Sequence, residues 1–151
     1  MSETQGLKER SEIESQYKWD LTRLFADDAA WEQTLAGLNK QVQEVAAFAG
    51  RLKDAGTIRE YLDASMTLSR TLSNLYCYAS MRRSEDTRAE AAQSMYARIA
   101  AAYAGAVAAL SFAEPEILAL PEETLQAIRN ADCLKDYRFV LENLVRQKPH
   151  T

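Results

Sequence analysis

Residues 58–83 read IREYLDASMTLSRTLSNLYCYASMRR. Ile58, Tyr61, Leu62, Leu68, Leu72, Leu75, Tyr76 and Ala79 recur at steps of three and four, the period of one helix face. The stretch holds no proline or glycine, so a single helix of roughly 40 Å is expected. Thr57 and Glu60 have the spacing of a capping box at its start. Met66, Tyr78 and Met81 fall off the main stripe. Apolar residues on a second face call for a second partner. A helix this long is more natural inside a larger α-helical body than alone.

The neighbouring patterns follow the same rule. Downstream, Thr87 and Glu90 repeat the capping-box spacing, and a helix is expected to about Phe112. Met95, Ile99, Ala102, Tyr103, Ala106 and Leu110 carry one of its faces. No charged residue occurs between Arg98 and Glu114, which predicts a central helix that is apolar nearly all round. Gly105 and the many alanines predict close approach of a neighbour, which would offset the cost of a mid-helix glycine, about 1 kcal/mol. Upstream, Trp31, Leu35, Leu38, Val42, Val45 and Phe48 mark a helix over 27–49. Asp27 or Asp28 caps its start and Gly50 offers a left-handed exit.

Pro115 interrupts the pattern, leaving a single turn over 116–119. Pro121 suits the first position of a short helix to about Asn130, with Leu125 and Ile128 inward. A fifth helix is expected from about 132, carrying Leu134, Tyr137, Leu141 and Leu144 until Pro149 stops it. Residues 1–16 show no apolar period and read as a frayed arm. Residues 17–26 are extended or turn-like, and Tyr17, Trp19, Leu21, Leu24 and Phe25 are candidates to pin them onto the helices. The fold class is therefore all-α: an antiparallel helical bundle of about five helices with an extended N-terminal arm.

Composition sets the outer limits. The 151 residues suit one domain, and a chain of this size buries about 68–70% of its unfolded surface. The net charge is −4 and the pI about 5.1, without the basic stripe of a nucleic-acid binder. Arg82, Arg83 and Arg88 are interleaved with Glu85, Asp86 and Glu90, as in a solvated loop of mixed charge. The two cysteines do not make a disulfide framework, and Cys77, among aromatics and alanines, reads as a small buried hydrophobe. A reduced, cytoplasmic setting is expected. The run Ile99–Ala113 is short and alanine-rich for a bilayer span, so no membrane is expected either.

Three motifs in order carry a family resemblance. Tyr17-Lys-Trp-Asp-Leu-Thr-Arg-Leu-Phe25 resembles the entry sequence of oligoendopeptidase F, a bacterial zinc peptidase related to thimet oligopeptidase. Tyr76-Cys77-Tyr78-Ala79-Ser80, continuing through Ser84-Glu85-Asp86-Thr87-Arg88, resembles that family's tyrosine-rich helix end and the loop after it. Lys148-Pro149-His150-Thr151 resembles the point where the N-terminal domain hands over to the rest of the enzyme. The resemblance covers residues 17–151. It implies an N-terminal helical domain over 17–148, with 149–151 beginning the linker to an absent C-terminal catalytic domain.

The family's zinc site is a helix-borne His-Glu-x-x-His pair with a further glutamate. The sequence has one histidine, His150, which reads as a linker residue. A nucleophile needs an adjacent base, and Cys77 has no histidine within its helix. The acidic pairs Asp27–Asp28, Glu85–Asp86, Glu114–Glu116 and Glu122–Glu123 sit at expected helix ends, where capping explains them. No catalytic or metal-binding residue is therefore assigned, and the chain alone is expected to be inactive. The resemblance implies a wall of a cleft that admits short peptides to the complete enzyme, with zinc held by the absent part. Tyr17, Trp19, Tyr76, Tyr78, Arg82 and Arg88 are the candidates for contact with that part or with the cleft. The alternative is a free-standing helical interaction domain that self-associates through exposed apolar faces.

Overall fold

Asp54, not the Thr57–Glu60 pair, starts the longest helix. In the computed structural model, which describes residues 12–147, the Asp54 carboxylate accepts the Thr57 backbone N–H and hydroxyl, both at 3.0 Å. An aspartate three residues before the third helical position meets an otherwise unsatisfied N–H. Helix α2 therefore begins earlier than its apolar stripe and runs Ala55–Glu85. The same chemistry opens α1, Asp28–Ala46, where Asp27 accepts the Ala30 N–H at 2.8 Å. Helix α3, Glu90–Leu110, has Ala89 before it and no side-chain cap. The expected Thr87–Glu90 box does not form. Asp86 accepts the Arg88 N–H at 2.9 Å, and Gln93 donates to the Thr87 carbonyl.

Helices α1, α2 and α3 pack pairwise into a three-helix bundle. Trp31, Leu38 and Val45 from α1 meet Leu68, Leu72, Leu75 and Ala79 from α2 and Met95, Ile99 and Ala106 from α3. Trp31 is completely buried, and its indole N–H donates to the Leu75 carbonyl at 2.9 Å. That bond meets the polar end of an otherwise apolar side chain. Gly50 takes φ 77° in the turn after α1, the left-handed conformation anticipated for it.

A smaller layer closes one end: α4 (Ala113–Leu118), α5 (Glu122–Asn130), a 3-10 segment (Asp132–Tyr137) and α6 (Arg138–Gln147). Ile117, Leu125, Ile128, Leu134 and Leu141 extend the core into it. Pro115 falls within the first turn of α4, where its missing N–H costs nothing, so the expected single turn is a short helix. The expected fifth helix begins as 3-10 and becomes α only at Arg138. Glu116 ties this layer to the bundle by accepting the backbone N–H groups of Gly50 at 2.7 Å and Leu52 at 2.8 Å. Among the described residues there is no strand, and the chain is all-α.

Two expectations fail at the surface. Cys77 is exposed, because it lies on the side of α2 opposite Leu75 and Ala79. Helix α3 is not wrapped on all sides. It packs along Met95, Ile99 and Ala106, while Ala101, Ala104, Gly105 and Ala108 face outward. No atom lies within 4 Å of where a Gly105 Cβ would stand, so no close neighbour explains that glycine. By length and composition Glu90–Leu118 is apolar enough to cross a membrane, but a turn at 111–112 divides it. Only 17% of its most apolar window is buried.

The arm holds two 3-10 turns, Ser15–Tyr17 and Leu21–Arg23. Leu21, Leu24 and Phe25 pack half-buried against the core, as expected of anchors. Tyr17 and Trp19 do not, being 74% and 57% exposed. Residues 1–11 of the expected frayed arm, and Lys148–Thr151 with His150, lie outside the described residues.

Candidate functional site

One polar cluster stands where the start of α1 meets the last turns of α2. Asp28, in the first turn of α1, receives the Tyr78 hydroxyl at 2.7 Å and the Arg82 guanidinium through two bonds, at 3.0 and 2.8 Å. Arg82 also reaches Glu85 at 3.2 Å. Tyr78 and Arg82 are one turn apart on α2 and so reach the same partner. The Phe25 and Tyr78 rings meet edge to face at 5.4 Å, which fastens the arm beside the charges.

The electrostatics follow from that geometry. The Arg82 hydrogen bonds, outweighing desolvation, hold the Asp28 carboxyl below the usual range. Burial first, and the bond to Asp28 second, push the Tyr78 hydroxyl up to about 12. Bonding to Asp28 likewise holds Arg82 charged. Trp19 joins this end, lining a shallow cavity of about 200 Å³ with Asp20, Phe25, Tyr78, Arg82 and Glu85. Three of the six sequence candidates, Trp19, Tyr78 and Arg82, thus come together. Tyr17 stands apart and exposed, and Arg88 pairs locally with Asp86 at 3.2 Å.

Tyr76 belongs to a second group on the opposite side of α2. Its hydroxyl lies 2.7 Å from that of Tyr96, and the rings are 5.4 Å apart. The hydrogen bond to Tyr96 raises the Tyr76 pKa above its ordinary value. Tyr103 extends the group at 6.2 Å, and the Arg83 guanidinium sits 4.5 Å above the Tyr96 ring. Beside it, Ser73, Tyr76, Cys77 and Tyr103 line an open groove of about 400 Å³. Tyr103 was expected on a buried face but is 43% exposed, since α3 turns it to this groove. Sequence reasoning did not connect Tyr96 with Tyr76. Only the antiparallel register of α2 and α3 brings them together.

Among the described residues, no three His, Cys, Asp or Glu side chains stand close enough to share an ion. The described donors therefore do not fit a zinc site. The acidic side chains have other partners: Asp27 and Asp54 cap helices, Asp28 holds Arg82, and Glu116 ties Gly50 and Leu52.

Comparison with known proteins bears on the same question. The family profile described as Oligopeptidase F matches residues 116–151. The group B oligopeptidase PepB of Streptococcus agalactiae is 36% identical over 143 residues, 93% of this chain and 24% of that protein. The oligopeptidase PepF of Bacillus subtilis is 30% identical over 146 residues, covering 95% of this chain and 22% of its own. The crystal structure of an inferred peptidase from Chlamydophila abortus superposes with a TM-score of 0.89 at 26% identity, over 96% of this chain and 25% of that one. The chain thus spans about a quarter of the length of the relatives it matches.

Proposed function

Because this chain is homologous along nearly its whole length to the N-terminal part of oligoendopeptidase F peptidases, we propose that it serves as the non-catalytic N-terminal domain of such a peptidase. In this reading it is a scaffold and a wall. It narrows a peptide-binding cleft whose catalytic half, with its zinc, belongs to the remaining length of the polypeptide. Selection of short, unfolded peptides follows from exclusion at the cleft mouth rather than from chemistry in this chain. The setting proposed is the cytoplasm. The end of the bundle that carries Trp19, Tyr78 and Arg82 is a candidate for contact with the other half or its cleft, as are Tyr17, Tyr76 and Arg88.

The observation that carries this reading is one of lengths. Relatives match 93–95% of this chain but only 22–25% of themselves. A domain swap tests it. This chain replaces the matched segment of the Streptococcus agalactiae relative, and hydrolysis of a short fluorogenic peptide is followed. Activity is expected from the soluble chimera and from neither part alone. A soluble chimera with no activity, or cleavage by this chain alone with contaminating protease excluded, would overturn it.

The exposed Met66, Met81, Tyr103 and Val107 favour a second reading, a free-standing interaction domain. It requires a discrete oligomer on concentration-dependent sizing that ignores the relative's remaining part.

A further inference from the structure

Resting on the reading above, we propose that the outer face of α2 and the adjoining side of α3 form the seat for the rest of the polypeptide. The occupant is an apolar α-helix edged with acidic side chains. Met66, Arg70, Ser73, Cys77 and Met81 recur at steps of three and four along α2, so they share one side. That side is opposite the buried Leu68, Leu72, Leu75 and Ala79. Met66 and Met81 are 53% and 36% exposed, and on α3, one turn beyond the groove residue Tyr103, Val107 is 58% exposed. From Met66 to Met81 the face is roughly 22 Å long, about four helical turns. A single helix laid along it would cover every one of these side chains. Methionines are adaptable enough to pack against such a partner.

Charge selects the occupant. Arg70 is exposed on the face, and Arg83 stands at its edge over the Tyr96 ring. A second copy would set two positively edged faces together, where like charges oppose docking. A helix with Asp or Glu on its margin would complement both arginines. The source of such a helix is also indicated: each matched relative carries about three times as much polypeptide again beyond the shared part.

The two thiols make the test direct. Cys77 lies within the proposed seat. Cys133, also exposed, lies outside it in the 3-10 segment beside α2's first turn. Maleimide labelling, read peptide by peptide by mass spectrometry, is compared between this chain and the chimera described above. Cys77 labelling is expected to slow by at least about ten-fold in the chimera while Cys133 changes little. Val107→Glu should lower the chimera's activity and restore Cys77 labelling, yet leave the melting temperature of this chain alone unchanged. An active chimera that labels Cys77 as fast as this chain alone overturns the seat and leaves the domain reading standing. A soluble, inactive chimera overturns both. Protection of Cys77 in this chain alone, by raising its concentration or by adding anionic phosphatidylglycerol vesicles, assigns the face to a second copy or to a membrane and overturns the proposed occupant.

Discussion

Single residues hold this bundle at places where an apolar pattern alone would leave polar groups unmet. Trp31 fills the centre and donates to the Leu75 carbonyl. Trp31→Phe removes both the second ring and the donor, and should lower the unfolding free energy by roughly 1–3 kcal/mol in urea titration. Asp28, Tyr78 and Arg82 give the stability a pH signature. The Asp28 carboxyl is held low by Arg82, so its contribution is complete above about pH 4, the unfolded aspartate value, and fades as acid protonates it in the folded state. Tyr78 has the opposite sense. Its pKa is raised to about 12, so its contribution is complete below about pH 10, where unfolded tyrosine begins to ionise, and is lost between there and about pH 12. Asp28→Asn should flatten the acid limb of the stability profile, and Tyr78→Phe the alkaline limb. Unchanged limbs would show that the cluster does not hold in solution.

At the scale of elements, α3 departs most from its sequence. Its run without charge reads as a helix covered on all sides, yet half its circumference meets solvent. Gly105 shows the discrepancy most clearly. In the helix interior it costs about 1 kcal/mol relative to alanine, and nothing stands within 4 Å to require it. Gly105→Ala should therefore stabilise this chain by about 0.5–1 kcal/mol, measured by urea unfolding. A loss of stability would mean that a neighbour comes closer than the fold allows. The opposite case is the joint between α1 and α2. Glu116 has no local signal that distinguishes it from the other carboxylates of its stretch, yet it accepts two backbone N–H groups more than 60 residues away. Glu116→Ala should cost roughly 1–3 kcal/mol, because Leu52 is buried and its N–H would lose its partner.

For the whole molecule, the balance of covered and open apolar surface is the informative quantity. The core runs without interruption from Trp31 in the bundle to Leu141 in the closing layer. Outside it, Met66, Met81, Tyr103 and Val107 remain exposed on two neighbouring helices. Such exposed apolar surface should bind a hydrophobic dye. Dye binding no greater than that of an ordinary closed monomer would contradict that description.

The sequence by itself determined the all-α class, the order of the helices, an aspartate cap at 27 or 28 and the left-handed turn at Gly50. These are short-range matters, decided by side-chain period, backbone freedom and the unpaired groups at helix ends. It also carried the family likeness, through three motifs in order. Only the tertiary structure decided which faces are covered. Cys77 and Tyr78 are adjacent in one helix, yet one is exposed and the other is buried with its hydroxyl on Asp28. Periodicity gives a side chain's direction about its own axis; burial depends on what else occupies that direction. Cys77 and Gly105 are left exposed among the described residues, and Tyr103 is covered only in part, by Tyr76.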